Sequence, residues 1–176
     1  MHTPDQTDWQ IIKLLNEDGR MPSTEIAERL GDISARTVNN RIKLLTKAKV
    51  ISVRAVIDPE KVGYSVLADV YVEVEAGQVR EVAYKIADFP EVSYVACVAG
   101  AVDVSVSARA RTIIELYDFV EGRLGKIPGV RRTQTFILPL KIKDLDTWLP
   151  PSANEGADDS PSGSASARAM SLAGDP

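Results

Sequence analysis

Ser34-Ala35-Arg36-Thr37-Val38-Asn39-Asn40-Arg41-Ile42-Lys43-Leu44-Leu45-Thr46-Lys47-Ala48-Lys49 is the stretch on which the reading of this chain turns. Val38, Ile42 and Leu45 recur at i, i+4 and i+7, the apolar stripe of an amphipathic helix. At about 100° per residue, Arg36, Asn40, Lys43 and Lys47 fall opposite that stripe, with Asn39 beside them. The stretch also carries Arg41 and Lys49, and no acid. Cations meet phosphates, and amide side chains pair with adenine edges, so this composition suits a helix lying in a major groove. Arg41 falls on the flank of the apolar stripe. There it can pair with acids of a preceding helix or reach a phosphate. Ser34 stands where a side-chain cap belongs, and capping alone accounts for it.

The net charge of the 176-residue chain is -4, which by itself argues against nucleic acid. The distribution reverses that argument. Residues 1–58 hold nine Lys/Arg against eight Asp/Glu, residues 59–149 eleven against thirteen, and residues 150–176 one against four. Positive charge is focused on one helix, and docking responds to the local field. One cysteine, Cys97, and one histidine, His2, allow neither an intrachain disulfide nor a Cys/His zinc site. Cys97 lies in a hydrophobic run and reads as a buried strand residue. No metal and no cofactor is called for. No basic-then-apolar leader and no uncharged apolar run of about 18 residues is present, so no membrane partner is expected, and the expected location is the cytoplasm.

Upstream, Asp5 and Asp8 have the spacing of a capping box for a first helix, with Trp9, Ile12 and Leu14 or Leu15 inward and Gly19 as a left-handed stop. A second short helix runs from Thr24 to Leu30. Two short helices joined by a tight turn, the second of them basic, form a helix-turn-helix. Ile51–Ile57 alternates and reads as a strand or an extended linker. Val66–Glu75 alternates strictly, Val79–Ala87 has helical spacing, and Val92–Val98 and Val104–Ala108 read as strands joined by a hairpin. Ile113–Leu124 reads as a helix with Ile113, Leu116, Tyr117, Val120 and Leu124 along one stripe, and Val130–Leu138 as the last strand. That order is βαββαβ, a ferredoxin-like antiparallel sheet with two helices on one face. The expected domains are therefore 1–58, a helix-turn-helix with a strand linker; 59–149, the ferredoxin-like domain; and 150–176, a Ser/Ala/Gly/Asp-rich tail read as disordered.

The pieces Asp5-x-x-Asp8-x-x-Ile11-Ile12, Glu25-Ile26-Ala27, Ser34-x-x-Thr37-Val38-x-x-Arg41-Ile42-x-x-Leu45, Asp58-Pro59-x-x-Val62-Gly63-Tyr64, Gly100-x-x-Asp103 and Pro128-Gly129-Val130 occur in an order and spacing that resembles the Lrp/AsnC (feast/famine) family of transcription regulators. The resemblance runs from about Asp5 to Lys143. Pro4, Pro22, the extra residue Asp32 and Lys49 depart from the pattern. Lys49 stands where a glycine usually ends the recognition helix, and a left-handed lysine costs about 1 kcal/mol.

The resemblance implies an α+β protein with a winged helix-turn-helix and a RAM (Lrp-type) domain. It implies a sequence-specific regulator that binds double-stranded DNA as a homodimer and assembles further, to tetramers, octamers or hexadecamers. The candidate DNA-binding residues are Ser34, Arg36, Thr37, Asn39, Asn40, Arg41, Lys43 and Lys47. It also implies an amino acid or similar effector at interfaces between C-terminal domains, near Gly100, Ala101, Val102 and Asp103. Thr133 and Thr135 are added as possible hydroxyl contacts. In this picture Asp103 meets an ammonium, and backbone N–H groups meet a carboxylate. Two other classes compete: an architectural DNA binder without an effector, and a small metabolite-acting enzyme. No Walker loop, nucleophile elbow or paired acid and base supports the enzyme.

Overall fold

The computed structural model describes residues 3–143 and 148–154. They fall into two units, one formed by residues up to Val56 together with those from Ile142 onward, the other by Ile57–Lys141.

The first unit contains α1 (Gln6–Glu17), α2 (Ser23–Leu30) and α3 (Ala35–Lys47). α1 opens with the expected capping box, in which the Asp5 and Asp8 side chains each accept from the other's backbone N–H. Its inward face is Ile11 and Ile12, both buried, with Trp9 only half-buried. Ile11, Met21, Ile26 and Val38 form the centre of a small core, ringed by Leu14, Leu15, Ala27, Leu30, Ile33 and Ile42. The end of α1 departs from expectation. Asp18 caps it in an extended conformation, and Gly19 is not left-handed. Asp18 instead accepts the Arg20 N–H through its side chain, so the turn is closed by an aspartate.

The stretch 51–58, expected as a strand or extended linker, carries no regular element. An isolated alternating segment has no ladder to join and leaves its apolar residues exposed, here Val53, Val56 and Ile57.

The second unit is an antiparallel sheet of β1 (Val66–Val74), β2 (Val92–Cys97), β3 (Val104–Ala110) and β4 (Val130–Ile137), in the order β2-β3-β1-β4, with α4 (Val79–Ala87) and α5 (Ile113–Gly122). The alternation of β1 resolves as expected. Ala68, Val70, Val72 and Val74 pack with Val104, Val106 and Ala108 of β3 and with Val82, Ile86, Leu116, Phe119 and Val120 of the helices. Two details differ. α5 buries Leu116, Phe119 and Val120 and leaves Ile113, Ile114 and Tyr117 exposed. Cys97, expected inside, is exposed because β2 is an edge strand.

The C-terminal boundary also differs from the expected 59–149 and 150–176. Trp148, Leu149 and Pro150 line a cleft of about 510 Å³ with Trp9, Ile12 and Val53 of the first unit. Pro151–Asn154 forms one 3-10 turn packed on α1, with Ala153 buried. Trp148, Leu149 and Pro150 are therefore part of the first unit's packing. The remainder of the expected tail, 155–176, lies outside the described residues.

Candidate functional site

Helix α3 carries the first candidate site. Ser34 caps it, accepting the Thr37 N–H at 3.1 Å, and the Ser34 and Thr37 hydroxyls are hydrogen-bonded at 2.9 Å. Val38 and Leu45 are fully buried and Ile42 is half-buried, so the stripe is the inner face. This fixes the other side. Arg36, Thr37, Asn39, Asn40, Lys43 and Lys47 are all exposed. Among the described residues, no protein group is hydrogen-bonded or ion-paired to the side chains of Arg36, Asn39, Asn40, Lys43 or Lys47. Amides and cations held on a rigid helix with their hydrogen-bonding groups open are what base and phosphate contacts require.

Leu44 was not singled out by the sequence reading. It is 56% exposed and sits one turn beyond Asn40, so it lies on the outward face. The available signal was an apolar residue off the stripe.

Arg41 is placed differently from its neighbours. Its Nη1 donates to Asp5 Oδ2 at 2.7 Å and to Asp8 Oδ1 at 2.9 Å. Asp8 is 2% exposed, the one buried charged side chain among the described residues. The Arg41 guanidinium, through its hydrogen bond, holds the Asp5 carboxyl below its ordinary value, helped by the Asp8 N–H. Asp5 in turn raises Arg41 further. Because the Asp5 value is depressed by folding, its stabilising contribution is present above the ordinary carboxylate range and is lost as pH falls through the depressed value.

Helix α3 ends in a Schellman arrangement. The Val50 N–H reaches Leu45 O and the Lys49 N–H reaches Thr46 O, both at 3.0 Å. Lys49 occupies the left-handed position at φ 57°, the only non-glycine with positive φ among the described residues.

The second candidate site is the loop from β2 to β3. Gly100 and Ala101 are exposed, and Val102 and Asp103 half-buried. A Cβ at Gly100 would meet no atom of the described residues within 4 Å, and its φ is not positive. Among the described residues, therefore, no contact demands a glycine there. Asp103, expected to meet an effector ammonium, also has a partner within the chain. Its Oδ2 accepts the Val74 N–H at 2.8 Å, while its backbone N–H donates to Val72 O and its carbonyl accepts from Val98. Asp103 closes the end of the β1–β3 ladder.

Thr133 pairs with Val72, and Thr135 with Val70. Directly paired residues share a face, so both threonines lie on the helix side of the sheet. The opposite face carries Leu67, Tyr71, Tyr94 and Phe136. Tyr71 and Phe136 meet edge to face at 5.6 Å, and the Ser107 hydroxyl donates to Asp69 at 2.7 Å. Thr133 and the loop flank the same end of β1 from its two sides, whereas Thr135 lies two residue pairs further along.

An AsnC-type helix-turn-helix domain matches residues 5–46, and the Lrp/AsnC ligand binding domain matches residues 67–147. The HTH-type transcriptional regulator FL11 of Pyrococcus horikoshii is 40% identical over 147 residues, covering 83% of this chain and 95% of that protein. The chain belongs to the Lrp/AsnC family.

LrpA of Pyrococcus horikoshii is 33% identical, covering 79% of this chain and 99% of that protein. A transcriptional regulator of Neisseria meningitidis, solved as a complex with L-Met, superposes with a TM-score of 0.75 at 28% identity, covering 81% of this chain and 94% of its own. AsnC of E. coli shares the fold, with a TM-score of 0.76 at 19% identity, over 82% of this chain and 99% of its own. The protein is thus a DNA-binding transcriptional regulator of the Lrp/AsnC type. These relatives are regulators, which sets aside the metabolite-acting enzyme.

Proposed function

We propose that this Lrp/AsnC regulator reads a specific, pseudo-palindromic duplex as a two-fold dimer, acting in the cytoplasm, and that an amino acid modulates it. The observation that carries the reading is the outward face of α3, with Arg36, Asn40 and Lys43 exposed and without protein partners among the described residues. Asn40 is assigned to an adenine edge, Arg36 and Lys43 to guanine edges or phosphate, and Leu44 to a thymine methyl. Two copies of α3 related by a two-fold axis require half-sites about one helical turn apart, or a multiple of that. The exposed Tyr94 and Phe136 on the open sheet face support pairing of C-terminal domains sheet to sheet. Footprinting tests the assignment. Asn40→Ala and Arg36→Ala should each lower affinity for the protected site by about 1–3 kcal/mol and relax its sequence preference. An unchanged footprint in both variants removes α3 from the groove.

The effector half of the proposal places an amino acid between C-terminal domains at Gly100–Asp103. The open space around Gly100 leaves room for a neighbouring chain, and Asp103 Oδ1 has no partner among the described residues. The Neisseria meningitidis relative, solved with L-Met, supports a free amino acid as the ligand class. Thr133 is retained as a contact from the same end of the sheet, and Thr135 as the weaker member. One observation favours the effector-independent reading. Asp103 already serves Val74, so its carboxylate has a structural use without any ligand. Calorimetry with each of the twenty amino acids separates the two, since binding by none of them at millimolar concentration would leave the effector-independent regulator standing.

A further inference from the structure

The most completely built polar cluster of the first unit joins α3 to the beginning of α1. Asp5 Oδ1 accepts the Asp8 N–H at 2.8 Å, and Asp8 Oδ2 accepts the Asp5 N–H at 3.2 Å. Arg41 Nη1 takes the two remaining oxygens, Asp5 Oδ2 and Asp8 Oδ1. All four carboxylate oxygens therefore have a donor. The cluster grades from buried to open, with side-chain exposure of 2% at Asp8, 29% at Arg41 and 54% at Asp5.

We propose that Arg41 is a positioning residue for DNA reading. It fixes the rotation and slide of α3 against α1 and does not itself touch DNA. The inference rests on α3 being the groove helix. α1 and α3 also share apolar contacts through Ile11 and Val38, but hydrophobic burial is non-directional and sets separation better than register. A single guanidinium nitrogen meeting one oxygen from each of two aspartates forms at one register only, because hydrogen bonds weaken steeply as geometry departs from linear. Base-edge contacts tolerate only about 0.5 Å and 10–20° of error, so a register lock beneath the reading face has consequences for sequence preference.

Three observations favour this role over a phosphate contact. Arg41 lies on the flank of the apolar stripe, away from Asn40. Its donor atom is already doubly engaged. Turning it toward DNA would break its bond to Asp8 Oδ1, made at a side chain that is 2% exposed, and a charge-assisted hydrogen bond at a buried group is costly to give up.

The experiment uses the full chain and a duplex selected from a randomised pool, with an unrelated duplex as reference, both titrated across salt. Arg41→Ala should weaken the selected duplex about tenfold or more and narrow its advantage over the unrelated one. Affinity for the unrelated duplex and the salt slope should stay as in wild type. Asp8→Asn keeps Arg41 and the side-chain volume, and should reproduce the same loss of selectivity. Combining the two should be no worse than either alone, as expected for residues acting as one unit.

A salt slope reduced by about one in Arg41→Ala, with Asp8→Asn at wild-type selectivity, overturns the proposal and makes Arg41 a phosphate contact. Full selectivity in both variants, with only a lowered melting temperature, overturns it in favour of a purely stabilising tie. If Arg41→Ala does not fold, Asp5→Asn removes one of the two bonds at the exposed aspartate, and its selectivity is read in the same way. Failure of the groove assignment itself shows separately, in Asn40→Ala.

Discussion

Helix α3 and the Gly100–Asp103 loop, the two proposed sites, are built in different ways. Helix α3 is finished within the chain. Its inner face is closed by Val38 and Leu45, its ends are capped by Ser34 and by the turn at Lys49, and its outer groups are exposed. In the loop, Asp103 engages Val72 and Val98 through its backbone and Val74 through one carboxylate oxygen, while Gly100 and Ala101 are exposed. A reading helix has to be rigid before it meets its ligand, because base recognition depends on preset geometry. A site shared between copies has to be unfinished alone, because only then can a ligand favour one assembly over another.

The largest effect that tests this contrast comes from Leu45, which is fully buried on α3. Leu45→Ala should destabilise the first unit by about 2–5 kcal/mol, the usual range for deleting a buried leucine. Its DNA binding should then fail through unfolding. Asn40→Ala, five residues earlier on the same helix, should leave the melting temperature near wild type and lose affinity alone. A Leu45→Ala protein that melts like wild type would show that the stripe is not the inner face.

The loop is tested by Asp103→Asn, which keeps an acceptor for the Val74 N–H and removes the charge. Stability should stay within about 0.5 kcal/mol of wild type. Binding of a free amino acid should weaken about tenfold or more, as for loss of a charge-assisted hydrogen bond. Asp103→Ala is the less informative variant, because it also orphans the Val74 N–H. Equal amino-acid affinity in Asp103→Asn and wild type removes Asp103 from the effector site.

How much of this could be read in advance follows the same division. The α3 stripe, its Ser34 cap, the Asp5–Asp8 box and the alternation of β1 are local patterns, and the structure carries each of them. Helix α5 was misphased because Ile113, Ile114, Leu116, Tyr117, Phe119 and Val120 put six apolar residues into eight positions, so periodicity alone cannot choose a face. The exposure of Cys97 depends on β2 being at the sheet edge, which is a property of strand order. The grouping of Trp148–Asn154 with the first unit depends on packing against α1, nearly the whole chain away in sequence. The helical angle of Arg41 is compatible with either an acid or a phosphate, and its distances to Asp5 and Asp8 give it its partner. The charge of Asp103 was visible, but its bond to Val74 required the β1–β3 register.

A smaller effect separates reading from mere attraction on α3. Lys47 lies on the outward face in the last turn, exposed and without a protein partner among the described residues. Lys47→Ala should weaken specific and unrelated duplexes alike and lower the salt slope by about one, the signature of one released counterion contact. A change in sequence preference would instead move Lys47 into the reading set with Asn40.

The smallest effect concerns the end of α3, and it has the opposite sign. Lys49 holds φ 57° so that Val50 and Lys49 can satisfy the last carbonyls of the helix, at Leu45 and Thr46. A left-handed residue with a Cβ is strained by roughly 1–2 kcal/mol, and glycine adopts the same geometry without that cost. Glycine also gives the unfolded chain more freedom, which offsets part of the gain. Lys49→Gly should therefore stabilise the first unit by a net of about 0.5–1 kcal/mol, seen as a melting temperature raised by a few degrees. Because Lys49 is exposed and lies past the helix end, DNA selectivity should be unchanged. A lowered melting temperature in Lys49→Gly would mean that the lysine side chain contributes more than its backbone conformation costs.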